Sequence, residues 1–206
     1  MIVIEGQIGA GKTTMGAFIS EELKLPLYKE LTNPYTHELL NRFYRDKSRW
    51  AFTLQVHFLN ERFRKIKQIM SRGGGVLDRS IFGDRIFAKV LYEDGDMLDF
   101  EFHTYSDLLD NMLEHSRDPQ LLVYLDCSVD TALQRIRERD RGIESTIPRD
   151  YLERLNRHYL EWYEQYNASP KVKIDTEQFL LNTAEGRKAA LGIINEAIQN
   201  RTTQYG

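Results

Sequence analysis

Short apolar runs alternate along the chain with longer stretches in which apolar residues recur every three or four positions. The runs at 1–5, 26–30, 74–78, 121–126 and 171–174 predict buried strands. The stretches 12–24, 36–46, 48–71, 83–92, 98–116, 129–139, 149–166 and 184–199 carry the helical period. Backbone breakers separate them: Pro26, Gly73-Gly74-Gly75, Asp94-Gly95-Asp96, Asp118-Pro119 and Ser169-Pro170. Strands that alternate with helices pair in parallel. The pattern therefore predicts an α/β fold, a five-stranded parallel sheet flanked by helices, built as one domain over residues 1–206. No repeat, low-complexity tract or linker interrupts it.

The first strand runs directly into Gly6-Gln7-Ile8-Gly9-Ala10-Gly11-Lys12-Thr13, the Gly-x-x-x-x-Gly-Lys-[Ser/Thr] phosphate-binding loop, or P-loop. Its glycines allow successive backbone N–H groups to converge on one oxyanion. Lys12 is placed to reach the outer phosphates and the Thr13 hydroxyl to ligate Mg²⁺. Thr14 continues into an amphipathic helix whose N-terminal dipole also favours phosphate. Strand, loop and helix together predict a nucleoside triphosphate site.

Composition narrows the setting. A formal net charge of -3 gives no overall attraction to nucleic acid or to an anionic membrane. No apolar stretch approaches membrane-spanning length, and a strand that begins at residue 2 leaves no room for a signal peptide, so a cytoplasmic enzyme is expected. The single cysteine, Cys127, is expected to pack near a strand end.

Several chemically capable residues fall where ligands bind in open α/β sheets, at the carboxyl ends of strands. Glu30 follows the second predicted strand. A carboxylate there suits an alcohol acceptor, which must lose a proton, and would repel an acceptor that is already a phosphate. Gln55 and Arg62 lie seven residues apart on one helix with Phe58 between them. They either edge a flat heterocycle or form the solvent face of an amphipathic helix. His57 reads as structural. Asp78-Arg79 ends the third strand, offering a carboxylate for Mg²⁺ and a guanidinium for a transferring phosphoryl group. Asp126 is a competing metal carboxylate, and the adjacent arginine favours Asp78. Arg135, Arg137, Arg139 and Arg141 cluster at a helix end. The interspersed Glu138 and Asp140 argue against a nucleic-acid patch, and an arginine-rich lid over phosphates, spanning about 135–146, fits better.

In this order, the P-loop, Lys29-Glu30-Leu31, Tyr44 and Gln55, Arg62, Asp78-Arg79-Ser80, Asp84-Arg85, and the stretch to Glu144 before Ile147-Pro148 resemble the deoxyribonucleoside kinase family. The likeness covers nearly the whole chain and is greatest to bacterial deoxyadenosine, deoxyguanosine and deoxycytidine kinases. It implies a P-loop kinase fold, ATP as donor, Mg²⁺ as cofactor, a small deoxynucleoside as acceptor, and a homodimer formed through the helices at 48–71 or 98–116. It implies that Glu30 is the general base on the 5′-hydroxyl and that Arg79 holds that oxygen and the phosphoryl group. By the same resemblance Tyr44 and Glu144 bind the 3′-hydroxyl, Gln55 reads the base edge, Arg62 and Asp84 pair beneath the base, and Arg135, Arg139 and Arg141 are lid contacts. The chain departs from the family in having Leu31 after Glu30, where Pro or Glu is common, and in using aspartate at position 78 where some relatives have glutamate.

Two rivals share part of this pattern. A nucleoside monophosphate kinase resembling thymidylate kinase would have a similar P-loop and Asp-Arg strand end, but Glu30 disfavours it. A P-loop GTPase would need a guanine-reading Asn-Lys-x-Asp tetrad, which is absent from the sequence.

Overall fold

Beta-branched and leucine-rich segments form five strands: β1 (Ile2–Glu5), β2 (Leu27–Tyr28), β3 (Val76–Asp78), β4 (Leu121–Asp126) and β5 (Lys171–Asp175). They pair in parallel in the order β2-β3-β1-β4-β5. The structure, a computed structural model, describes residues 1–139 and 147–205. Its helices are α1 (Lys12–Glu22), α2 (Pro34–Arg45), α3 (Lys47–Arg72), α4 (Asp84–Glu93), α5 (Asp99–Glu114), α6 (Val129–Arg139), α7 (Arg149–Gln165) and α8 (Ala184–Tyr205). A single 3₁₀ turn, Ile81–Gly83, precedes α4.

Alternation along the strands divides the core into two layers. Ile2, Ile4, Val76, Leu121, Val123, Leu125 and Ile174 pack with Met15, Ile19, Ala190 and Ile194 of α1 and α8 on one face. Val3, Leu77, Leu122 and Tyr124 pack with Leu54, Ile66, Tyr105, Leu155 and Tyr159 of α3, α5 and α7 on the other. Each fully buried Leu, Ile or Val contributes ~1.5–3 kcal/mol, so both faces of the sheet are strongly held. Among the described residues no helix is long and apolar enough to cross a membrane.

Two boundaries differ from the sequence pattern for identifiable reasons. Helix α2 starts at Pro34 rather than residue 36, because the Asn33 side chain accepts from the Tyr35 N–H at 3.0 Å and proline occupies the first turn. Strand β2 ends at Tyr28 rather than residue 30. The carbonyls of Lys29 and Glu30 instead accept from the Lys65 ammonium, at 2.6 and 2.7 Å, so the chain leaves the sheet there.

The strand order positions the site. The chain moves from β1 to β2 and β3 on one side, then to β4 and β5 on the other. The segments following β1, β2 and β3 therefore converge at one carboxyl edge, where ligands bind in such sheets.

Candidate active site

A cleft of about 640 Å³ opens at that edge. Ile8, Gly9, Gly11, Lys12, Thr13 and Thr14 line one end, and Tyr44, Gln55, Phe58 and Arg62 line the other, with Glu30, Asp78 and Arg79 between them. The P-loop curls around the start of α1. Gly9 has φ 85°, and a Cβ there would lie 2.7 Å from the Ala132 carbonyl oxygen, so both backbone angle and space require glycine. Lys12 folds across the loop and donates to the carbonyls of Gly6 and Gln7 at 2.9 and 2.7 Å. Burial and the nearby Arg79 charge lower its pKa to about 7, against the opposing pull of Asp78, Glu30 and Glu5. Gly6, Gln7 and Ala10 lie outside the cleft wall. The Gln7 amide turns away to donate to the Cys127 carbonyl at 2.9 Å, so it is the backbone of these residues that shapes the loop.

Four side chains form an ionic cluster under the cleft. Arg62 donates to Glu30 through Nη2 and to Asp84 through Nη1. Arg79 Nε stands 2.9 Å from the same Glu30 oxygen. Burial would raise the Glu30 pKa, but the charges of Arg79, Arg62 and Lys12 outweigh it and hold the value at about 2. Glu30 is therefore a fixed anion across the physiological range. Asp84 behaves oppositely: burial pushes its pKa up, and Glu5 and Glu30 add to the rise, while Arg62 and Arg79 oppose it. Asp84 is wholly buried, lies outside the cleft wall and pairs with Arg62 from behind. A buried ion pair is a weak source of net stability, yet removing one partner costs ~3–5 kcal/mol.

The helix α3 face corrects the solvent-face alternative for Gln55 and Arg62. Both are buried, at 4% and 3% exposure. The Arg62 guanidinium lies 4.7 Å from the Phe58 ring centroid, which joins the charged floor to the aromatic wall. One turn beyond Arg62, Lys65 grips the backbone of residues 29–30 from the same helix. His57 has the structural place expected of it: Nε2 lies 2.8 Å from the Thr36 hydroxyl and links α3 to α2.

At the phosphate end, the Thr13 hydroxyl donates to Asp78 Oδ2 at 2.7 Å. The other Asp78 oxygen is buried without a partner among the described residues. Asp126, the competing carboxylate, lies outside the cleft wall and faces Lys173 at 3.6 Å. Cys127 is buried immediately after β4, as expected.

Arg135 and Arg139 reach the cleft wall from α6, while Arg141 and Glu144 lie outside the described residues. Arg135 is also a structural link: it donates to the Thr176 hydroxyl and carbonyl at 2.7 and 2.8 Å, tying α6 to the loop after β5. Sequence reasoning missed the apolar lining from Leu31, Leu40, Phe43, Leu54, Phe87 and Tyr151. Nothing in their spacing distinguishes them from core positions. It also missed Leu180, Leu181 and Asn182 after β5, where Leu180 is 47% exposed. The apolar run Phe179-Leu180-Leu181 following a strand end was the available signal.

The deoxynucleoside kinase family model matches residues 2–199. Deoxyadenosine kinase of Lactobacillus acidophilus is 36% identical over 97% of this chain and 96% of its own length. Deoxyguanosine kinase of Lactobacillus johnsonii is 38% identical over 94% of this chain and 90% of its own. Among solved structures, deoxyadenosine kinase from M. mycoides with products dCMP and a flexible dCDP bound superposes with a TM-score of 0.81 at 31% identity, covering 95% of this chain and 97% of that one.

Proposed function

We propose, from the premise that this chain belongs to the deoxynucleoside kinase family and is a phosphotransferase acting on deoxynucleosides, that it transfers the γ-phosphoryl group of ATP to a 5′-hydroxyl. The observation that carries this reading is the cleft itself: the P-loop and the Glu30–Arg62–Arg79 cluster face one continuous space. Nucleotide phosphates lie along the P-loop end, and the acceptor nucleoside lies between α2 and α3.

The chemistry follows from position and charge. Glu30 accepts a hydrogen bond from the 5′-hydroxyl and takes its proton as the bond to phosphorus forms. With a pKa near 2 it is a weak base, so its main work is orientation, with proton uptake late in the transfer. Arg79, beside Glu30, and Lys12 stabilise charge on the phosphoryl oxygens, aided by Arg135, Arg139 and Arg141. Tyr44 and Glu144 hold the 3′-hydroxyl, Gln55 and Phe58 hold the base, and Arg62, set by Asp84, reads its remaining polar edge.

The Thr13–Asp78 pair fits a magnesium site. It offers a hydroxyl and a carboxylate with one buried oxygen unpartnered, and Mg²⁺ takes few protein oxygens. When bound there, the ion would neutralise phosphate charge. The acceptor is read as a purine deoxynucleoside or deoxycytidine. Support comes from relatives named for deoxyadenosine and deoxyguanosine and from the deoxyadenosine kinase bound to dCMP. The enzyme is read as cytoplasmic and homodimeric, and the exposed Leu98 and Phe100 at the start of α5 support a contact there.

The test is a panel of the four deoxynucleosides and their 5′-monophosphates, each with ATP and Mg²⁺, with products resolved by chromatography. A 5′-monophosphate from at least one deoxynucleoside is expected, with no turnover of the monophosphates. Faster phosphorylation of any monophosphate would overturn the alcohol-acceptor reading.

A further inference from the structure

Three buried residues outside the cleft converge on Arg79. Arg79 has φ 67°, the left-handed region that a non-glycine residue adopts only when its surroundings enforce it. The enforcement comes from the end of β1. The Arg79 N–H donates to the Ile4 carbonyl at 3.0 Å. Glu5 Oε1 accepts from the Ser80 N–H at 2.7 Å and from the Ser80 hydroxyl at 2.9 Å. Gly83 leaves room for that carboxyl group, since a Cβ there would lie 3.2 Å from Glu5 Cδ.

The side chain of Arg79 is held by the same group through a relay. Arg79 Nη1 donates to the Tyr159 hydroxyl at 2.7 Å. That hydroxyl donates in turn to Glu5 Oε2 at 3.4 Å. The Tyr159 ring has little freedom, with Phe87 edge-on at 6.0 Å and Tyr124 stacked at 6.1 Å. The Arg79 guanidinium also lies 4.5 Å from the Phe87 ring centroid. Glu5, Ser80 and Tyr159 are fully buried, and none lines the cleft.

The geometry points to Tyr159 and Glu5 as positioning residues for phosphoryl transfer: Glu5 fixes the Arg79 backbone through Ser80, and the Tyr159 relay fixes the direction of its guanidinium. The direction of the hydrogen bonds matters. Tyr159 spends its acceptor on Arg79 and its proton on Glu5, so Glu5 must be an acceptor at both oxygens. Glutamine at position 5 would present an N–H to one of these partners and break the chain while keeping the volume. Since neither residue lines the cleft, loss of either should act on the step that Arg79 assists and leave substrate affinity nearly unchanged.

This rests on the reading that Arg79 serves the transferring phosphoryl group, and the experiment separates the two claims. The kcat and both KM values are measured for Tyr159→Phe, Glu5→Gln, Arg79→Lys and the Tyr159→Phe/Arg79→Lys double variant. Misplaced catalytic groups lose about 10- to 100-fold in rate. Tyr159→Phe is expected to lose about that much kcat, with KM for ATP and nucleoside within about threefold. Lysine at 79 cannot span the relay as arginine does, so adding Tyr159→Phe to Arg79→Lys should change kcat less than about twofold. Wild-type kcat in Arg79→Lys would remove the role given to Arg79. An impaired Arg79→Lys with unimpaired Tyr159→Phe would overturn the relay alone, as would a tyrosine effect equally large in both backgrounds. Should Tyr159→Phe prove too unstable to assay, Glu5→Gln in the same two backgrounds gives the same decision.

Discussion

Thr13 and Asp78 meet at 2.7 Å across the phosphate end of the cleft, joining the first turn of α1 to the end of β3. These two oxygens come from separate elements brought together by the pairing of β1 with β3. On the proposed reading they would hold a magnesium ion that neutralises phosphate charge. Asp78→Asn should therefore raise the Mg²⁺ concentration for half-maximal rate by ~10–100-fold, the usual cost of damaging a metal's protein partners. A magnesium titration at saturating ATP checks it; an unchanged midpoint would exclude Asp78 and return attention to Asp126.

Glu30→Gln should lower kcat by ~10²–10⁴-fold, the range for loss of a positioned base. Deoxynucleoside binding, followed by calorimetry without ATP, should change little. The ionised state of Glu30 persists down to about pH 2, so it supplies no acidic limb to the rate profile between pH 5 and 8. An acidic limb in that window that vanishes in Glu30→Gln would contradict the assignment.

Lys12 predicts a pH dependence at the other end of the cleft. Its pKa in the ligand-free protein is about 7, and only the protonated amine attracts phosphate. ATP should then bind with net proton uptake, and affinity should fall toward about tenfold per pH unit above pH 7. Calorimetry in buffers of different ionisation enthalpy measures the proton directly. For stability the sign is fixed: a lysine depressed from 10.5 to about 7 disfavours folding below pH 7, and that cost is relieved between pH 7 and 10.5. Lys12→Met should consequently melt no lower than the wild type without ligand, while losing most of the stabilisation by ATP.

Thymidine should be the poorest of the four deoxynucleosides by kcat/KM. Arg62, held by Asp84, offers donors to a ring acceptor. The Gln55 Oε1, buried without a partner among the described residues, can accept from an exocyclic amine, and the charged pair gives no apolar recess to a 5-methyl group. Discrimination built on buried polar groups reaches ~10⁴–10⁵-fold when a required hydrogen bond is absent. If thymidine proves the best substrate, the roles given to Arg62 and Asp84 are wrong.

Much of this arrangement was legible in the chain because it is local. The P-loop is a contiguous motif, and strands such as Leu121–Asp126 announce themselves by composition. Glu30, Asp78 and Arg79 could be placed at one sheet edge because each lies at or just past the end of a strand. What escaped was long-range. Nothing near Tyr159 marks it as a partner of Arg79, eighty residues away, or of Glu5, 154 residues away. The burial of Gln55 and Arg62 could not be read from spacing, because a polar pair on a helix looks the same whether it meets solvent or a cleft. Nothing in the sequence singles out Lys65, since its acceptors are the backbone carbonyls of residues 29 and 30, 36 and 35 positions away.

Helix α3 carries Gln55, Arg62 and Lys65 on one rigid rod. Seven residues separate the amide from the guanidinium that grips Glu30, which at 1.5 Å per residue is about 10 Å. On the proposed roles the helix sets two contacts with the acceptor at once: Gln55 and the Arg62 guanidinium meet the base, and the same guanidinium, through Glu30, fixes where the 5′-hydroxyl must fall. A molecule already extended by a phosphate brings its charge onto the Glu30 anion, so base reading and exclusion of a phosphorylated acceptor share one side chain. Inserting one residue between positions 55 and 62 would rotate the two ends by about 100° and break both together.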